Sequence, residues 1–260
     1  MNNIKAHKNN LFYLEKRKYK HSFLPLLIVA FLFIDLCLLG ANFFNSSFQS
    51  TMNNTGYSWM KIMDSLFIFK CVSNPIFLAV LSSKSIDLEN QGNMWQYLKT
   101  CNVEFKDIYK YKFIYIFRLY FLYQILEWVM MIGTAKVIGL EESFPIFRMV
   151  VYFSSQLAIS FMIMTIHYNL AIKYKNQLIT ISISLLGSIA GVISMLLPRF
   201  ISYLVPYSWY AQLLSISYKF VDKDNFIVSI NNLNYFPMLI SIFIGVSLYK
   251  YGQIFLKEDK

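Results

Sequence analysis

The chain has 260 residues, of which 57% are hydrophobic and 15% charged, and its net charge is +10. About a quarter of the residues in a soluble domain are charged, so this composition excludes a soluble enzyme. The basic residues lie beside apolar runs and not on a polar module, which excludes a nucleic-acid-binding protein and favours an anionic membrane surface as a partner.

Six apolar stretches follow one another along the chain. Each has roughly 20 residues, the length at which a helix crosses about 30 Å of hydrocarbon. The predicted fold class is therefore an all-α integral membrane protein with six transmembrane helices. The segments between the stretches are too short for an independent catalytic domain, so residues 1–260 are expected to form one transmembrane domain. The predicted spans are Phe23–Phe43, Ile62–Ser83, Phe113–Ala135, Ile146–Asn169, Leu178–Pro198 and Phe236–Leu256.

Basic residues are distributed unequally between the two sides of the membrane. Sixteen Lys and Arg residues lie in the N-terminal segment, in the loops that follow the second and fourth spans, and at the C-terminal end. Five lie in the loops that follow the first, third and fifth spans, on the other side of the membrane. Because cytoplasmic loops carry the excess of Lys and Arg, both termini are predicted to be cytoplasmic.

Three charged residues fall deep inside the first three predicted spans: Asp35, Lys70 and Glu127. At 1.5 Å per residue they lie about 18 to 21 Å from the inner face, so they are nearly level. A charge at the centre of a bilayer costs on the order of 3 kcal/mol or more, which favours pairing. The sequence predicts an ion cluster, with a structural role, contact with a cationic peptide cargo and proton coupling as the open alternatives.

The cytoplasmic loop 84–112, between the second and third spans, has the pattern of an amphipathic helix. Its larger side chains recur at helical spacing: Leu88, Gln91, Met94, Trp95 and Leu98. The pattern predicts one helix from Asp87 to Leu98 along the inner face, with Asp87 and Glu89 near its start, where acidic groups favour the helix dipole. Trp95 and Leu98 would form an exposed knob for a partner groove. A helix that merely lies on lipid is the alternative.

Gly187 and Gly191 form a GxxxG motif in the fifth span. Small residues at this spacing let two helices approach closely. The motif predicts close helix packing, within the chain or at a dimer interface.

The external segment 199–235 is long and only partly polar. Aromatic and apolar residues lie on both sides of Pro206, and Pro198 and Pro206 exclude one continuous helix. Short apolar runs with Tyr and Trp are typical of interfacial or partly inserted half-helices.

Two kinds of chemistry are disfavoured by residue spacing. The stretch from Glu141 to Arg148 is similar to the EExxxR motif of intramembrane CAAX-type proteases, but Arg148 is six residues after Glu142 and the required position holds Ile146. No well-placed pair of histidines supports general-base chemistry. The cysteines form no CxxC motif, so no metal site is expected.

The loop between the second and third spans resembles that of ABC-2 type permeases. The residues that carry this resemblance are Glu89, Gly92, Trp95, Leu98 and Lys112. The start of the chain is similar to the amphipathic start of such permeases at Leu11, Phe12, Glu15 and Lys18. Within the superfamily the chain looks most like the small permeases of lantibiotic self-protection (immunity) transporters. One departure is Cys101–Val103, where many relatives carry a Pro.

The resemblance implies a bacterial plasma-membrane permease without its own ATPase, and the chain has no GxxxxGK[ST] phosphate loop. Two copies of a separate ABC ATPase subunit would bind ATP and Mg, and this chain would bind no cofactor. Segment 1–22 would be an interface helix and segment 199–235 a pair of re-entrant half-helices. The residues expected to couple to the ATPase are Asp87, Glu89, Gly92, Met94, Trp95 and Leu98.

The same resemblance implies three further partners: a second permease, expected to be a sister subunit, the membrane lipids, and a lantibiotic (bacteriocin) peptide as cargo for export. The alternatives are an ABC-2 exporter of a drug, a lipid-linked glycan or an ion, and a stand-alone membrane immunity protein without an ATPase.

Overall fold

A computed structural model describes residues 17–19, 22–44, 57–91, 94–101, 103–174, 176–220 and 226–256. Six helices within these ranges are long and apolar enough to cross a membrane. The prediction of an all-α integral membrane protein with six spans is therefore confirmed.

The helices are α1 (Leu24–Phe44), α2 (Ser58–Asp64), α3 (Phe67–Asn90), α4 (Met94–Thr100), α5 (Phe105–Val137), α6 (Ile146–Lys173), α7 (Gln177–Ser194), α8 (Arg199–Leu204), a 3-10 helix (Pro206–Leu213) and α9 (Phe236–Phe255). Strands β1 (Ile216–Phe220) and β2 (Phe226–Ile230) precede α9. The six spans are α1, α2 together with α3, α5, α6, α7 and α9.

Two span boundaries differ from the predicted ones for identifiable reasons. Helices α3 and α5 both extend beyond the apolar stretches, to Asn90 and from Phe105, since buried polar contacts stabilise these turns. Helix α7 ends at Ser194 and not at Pro198. Proline disfavours helical geometry in the residue before it, and Pro198 itself is extended (ψ 143°) and lies directly before α8.

Helix α3 lies at the centre of the bundle. It packs against α5, α6, α7 and the 3-10 helix, and Phe77, Leu78 and Leu81 on it are fully buried. Aromatic residues of α5 fill the adjoining core, where the ring of Phe77 lies 4.8 Å from the ring of Tyr123. The outer helices α1, α7 and α9 bury a much smaller part of their surface. Their exposed apolar faces are suited to contact with lipid.

The segment 199–235 has short helices, as predicted, and a β-hairpin that the sequence reading did not predict. Strands β1 and β2 pair antiparallel, with Ile216 opposite Ile230 and Phe220 opposite Phe226. Asp64 at the end of α2 fixes the start of β1, because its carboxylate accepts N–H bonds from Ser215 and Ile216, each at 2.8 Å.

Glu142 belongs to the stretch that is similar to the protease motif, and it forms hydrogen bonds with the first residues of α2. Its carboxylate accepts hydrogen bonds from the Ser58 amide at 2.8 Å and from the Ser58 hydroxyl at 2.6 Å. The indole N–H of Trp59 donates to its carbonyl at 3.0 Å. A carboxylate that satisfies the first amides of a helix stabilises the end of that helix.

The GxxxG motif of α7 packs against the 3-10 helix. A Cβ built on Gly187 would lie 2.5 Å from Cζ of Tyr207, and one on Gly191 would lie 3.0 Å from the Tyr207 backbone. The motif thus provides close packing within the chain.

The Tyr207 hydroxyl lies 3.2 Å from Nε2 of His167. Burial raises the pKa of Tyr207 to about 12, so the phenol is protonated at neutral pH.

We expect Gly187→Ala to lower the free energy of unfolding by about 1–3 kcal/mol, since the new methyl group must displace the Tyr207 ring. Thermal unfolding of the detergent-solubilised chain measures this. Gly40→Ala is the matched control, because nothing lies within 4 Å of a Cβ at Gly40, and it should be neutral or stabilising. An equal effect of both substitutions would contradict the packing role of Gly187.

Candidate functional site

The loop between the second and third spans is built differently from the single helix that its sequence predicts. Helix α3 continues through Asp87 and Glu89 to Asn90, and the separate helix α4 begins at Met94. Gly92 lies outside the described residues. The prediction of one helix from Asp87 to Leu98 is therefore wrong, because Asp87 and Glu89 belong to the last turns of α3.

Glu89 stands where the helix dipole disfavours an acidic group, and two lysines compensate for this. Its Oε1 accepts hydrogen bonds from Nζ of Lys112 at 2.9 Å and from Nζ of Lys18 at 2.6 Å. The side chains of Glu89 and Lys112 are completely buried. These charge-assisted bonds from distant segments, which no local pattern reveals, explain why α3 extends this far.

A tyrosine joins the N-terminal segment to the same point. The Tyr19 hydroxyl lies 2.8 Å from the Ser85 hydroxyl and accepts a bond from Lys112 at 3.3 Å. Its ring stacks on Tyr115, with the centroids 4.5 Å apart. The N-terminal segment, α3 and α5 thus meet at one set of residues, all of them buried except the partly exposed Lys18. We call this set the Glu89 junction: Lys18, Tyr19, Ser85, Glu89 and Lys112. Of the predicted interface-helix residues, Lys18 takes part, while Leu11, Phe12 and Glu15 lie outside the described residues.

Helix α4 packs its Trp95 against the bundle. The indole N–H donates to Asn90 at 3.0 Å, and the ring lies 5.8 Å from the ring of Phe105. Trp95 and Leu98 are both half-buried, so the expected exposed knob is not present. Tyr97, which the sequence reading did not select, is 61% exposed and projects from α4. The helical spacing places Tyr97 on the face away from Trp95 and Leu98, and this spacing is the sequence signal for an exposed residue of α4.

Asp87 is placed at the edge of this region. Its carboxylate accepts a hydrogen bond from Gln91 at 2.8 Å and lies 3.8 Å from Nζ of Lys84. Both partners are on or next to the same helix turn. Asp87 therefore stabilises the end of α3 locally, unlike Glu89.

The three deep charges of the first three spans lie in contact. Nζ of Lys70 is 2.9 Å from Asp35 and 3.0 Å from Glu127. Tyr123 completes the set, since its hydroxyl accepts a bond from Lys70 at 2.6 Å and donates to Asp35 at 2.7 Å. We call these four residues the Lys70 cluster. It joins α1, α3 and α5 well inside the bundle, with one ammonium between two carboxylates.

The fold and these two ionic sites define a multi-pass membrane protein whose second and third spans are tied together beside a short peripheral helix. A family model described as "ABC-2 family transporter protein" matches residues 11–191, more than half of the chain and the part that contains both sites. The chain therefore belongs to the ABC-2 transporter family. Members are membrane permeases of ABC transporters, are generally not enzymes, and work with an ATPase partner. No curated protein and no solved structure matches the chain.

We expect Glu89→Gln to destabilise the chain by about 3–5 kcal/mol, because it leaves the ammonium of Lys112 buried without a carboxylate. Thermal unfolding in detergent should show a midpoint lower by roughly 6 °C or more. The matched control is Asp87→Asn two residues earlier. Its partner Lys84 is 53% exposed, so we expect a change of less than about 1 kcal/mol. Equal loss in both variants would contradict the role of the Glu89 junction.

Proposed function

We propose that this chain is the permease subunit of an ATP-driven exporter that protects a lantibiotic-producing bacterium by expelling the peptide from its plasma membrane. Membership of the ABC-2 family and the resemblance to small immunity permeases support this proposal. The observation that carries it is the distribution of charge: the deep charges pair with one another, while the outer faces of the spans are apolar. Examples of exposed apolar residues are Val29, Phe33, Leu186, Leu239 and Phe243.

An apolar outer surface is suited to a cargo that is already dissolved in the lipid. An amphipathic peptide in the outer leaflet buries apolar side chains and keeps its charges at the headgroups. It can be received from the side and returned to the medium, and no long hydrophilic passage through the bundle is needed. The excess of basic residues on one side supports cytoplasmic termini, with the Glu89 junction on the cytoplasmic side.

Helix α4 is our candidate for the contact with the ATPase. Two ATPase subunits, which would bind the ATP and Mg, dock on the permease pair and move α4 when they close. Trp95 packs on Phe105 at the start of α5 and bonds to Asn90 at the end of α3. A displacement of α4 is thus passed to both helices. A sister permease is the proposed second membrane subunit, and lipids surround the pair.

The contact is tested by Tyr97→Asp. An exposed aromatic residue at the centre of an interface contributes about 2 kcal/mol or more, so the affinity for the ATPase should fall roughly 30-fold. The tagged chain is purified in mild detergent, and the co-purified ATPase and any second permease are quantified by mass spectrometry. Tyr235→Asp, at an exposed tyrosine of the opposite end, is the control and should retain the ATPase. Undiminished ATPase with Tyr97→Asp would exclude α4 as the contact.

The cargo is tested in cells that produce the ATPase and the second permease with or without this chain. We expect the complete set to survive lantibiotic concentrations that kill cells lacking the chain, and to release labelled peptide from the membrane into the medium. A membrane-active drug is the parallel arm. Protection against the drug but not against the peptide would contradict lantibiotic export and support another ABC-2 cargo.

A further inference from the structure

The Lys70 cluster contains one more carboxylate than ammonium. Asp35 is completely buried, and Lys70 and Glu127 are exposed by only 5% and 8%. With all three ionised, the cluster would have a net charge of −1 inside the membrane, where an uncompensated charge costs several kcal/mol. In the described part of the chain, no second ammonium or guanidinium group lies within ion-pair distance of either carboxylate.

The remaining groups that face Glu127 supply no positive charge. Tyr120 and Tyr123 of α5 and Tyr152 of α6 are the neighbouring phenols, and each is neutral or would become negative. Gln156 of α6 is an uncharged neighbour. The second oxygen of Asp35, Oδ1, is buried without a hydrogen-bond partner. One further positive charge is therefore required, and no described residue of the chain supplies it.

A small cavity gives access to one of the two carboxylates. It has a volume of about 20 Å³ and is lined on its inner side by Lys70, Glu127, Tyr152 and Gln156. The other lining residues come from α2, the turn after it, and the neighbouring part of α5: Ile62, Met63, Leu66, Trp128 and Met131. They place the cavity toward the end of the bundle that is opposite to the Glu89 junction. Asp35 does not line it.

The size of the cavity limits what can supply the charge. A water molecule needs roughly 10–15 Å³ of such volume, so about one water fits and the side chain of a cationic peptide does not. A bare alkali ion needs several oxygen ligands. Two of the four carboxylate oxygens are already in contact with Lys70, and Glu127, Tyr152 and Gln156 supply few others around the cavity.

We propose that Glu127 carries an exchangeable proton, which reaches it through water in this cavity, while Asp35 remains ionised between Lys70 and Tyr123. The proton forms an O–H bond on the Glu127 carboxylate and leaves to water when the solution becomes alkaline. With the proton bound, the cluster is neutral and α1, α3 and α5 are held together. Without it, two carboxylates compete for one ammonium, and the contact of α5 with the other two spans weakens. The site is therefore a proton-binding site that acts independently of the cargo.

Infrared difference spectroscopy of the purified chain in lipid nanodiscs tests this proposal. The reference chain carries Asp64→Asn, because Asp64 is a second buried carboxyl group outside the cluster that would contribute its own band. In a step from neutral to alkaline pH, this reference chain should lose one protonated-carboxyl C=O band that shifts in D₂O. Adding Glu127→Gln should abolish the band. Adding Asp87→Asn, at a carboxylate beside the largely exposed Lys84, is the matched control and should leave the band in place. Absence of the band from the reference chain, or its persistence after Glu127→Gln is added, would overturn the proposal.

Two conservative variants identify the carboxyl group that carries the proton. Because Asp and Glu acids absorb at different frequencies, Glu127→Asp should move the band and Asp35→Glu should leave it in place. The reverse result would assign the proton to Asp35 and overturn the proposal. Replacing choline by sodium at constant ionic strength should leave the band unchanged. Its loss would show an alkali ion as the occupant and would also overturn the proposal. Circular dichroism confirms the fold of each variant.

Discussion

Two lysines buried in the bundle depend on carboxylates from other segments of the chain. Lys112 has no exposed surface, and its ammonium lies 2.9 Å from Glu89. Lys70 lies between Asp35 and Glu127. Removal of one partner from a buried ion pair costs about 3–5 kcal/mol, whereas the whole free energy of unfolding of a domain is about 5–15 kcal/mol. The pairings therefore restrict how the first three spans can be arranged.

Both ionic sites join α3 to α5, at two heights. Lys70 and Glu89 are 19 residues apart on α3, which corresponds to about 28 Å along the helix. Lys112 and Glu127 are their partners on α5. The two helices are thus joined near both ends. Helices α6 and α9 contact α5 through aromatic rings, such as Tyr109 against Tyr249 at 5.2 Å, and α6 also through hydrogen bonds, such as Tyr120 to Ser160 at 2.6 Å. Because both ionic sites hold α3 against α5, these two helices are expected to move together.

Sequence alone was sufficient where the signal is the length of an apolar run or the depth of a charge. All six spans follow from hydropathy, and counting residues along the spans places Asp35, Lys70 and Glu127 at one level. The junction of Glu89 with Lys18 was not found, because these residues are 71 positions apart and no periodic pattern relates them. The hairpin was missed although Ile216–Phe220 and Phe226–Ile230 are rich in β-branched and aromatic residues, a strand signal that hydropathy hides beside membrane spans.

Helix α4 shows why an amphipathic pattern does not identify a partner surface. The pattern correctly groups Trp95 with Leu98 on one face, but an apolar face is buried first against the helices of its own chain, which supply apolar surface at no cost of association. The face that remains exposed is the more polar one, with Gln96, Tyr97 and Thr100 exposed. Tyr97 is directed outward, whereas Trp95 is directed inward and contacts Asn90 and Phe105. Asn90 is the residue after Glu89, and Phe105 is the first residue of α5. Helix α4 therefore lies between the exposed Tyr97 and the ends of α3 and α5, next to the Glu89 junction.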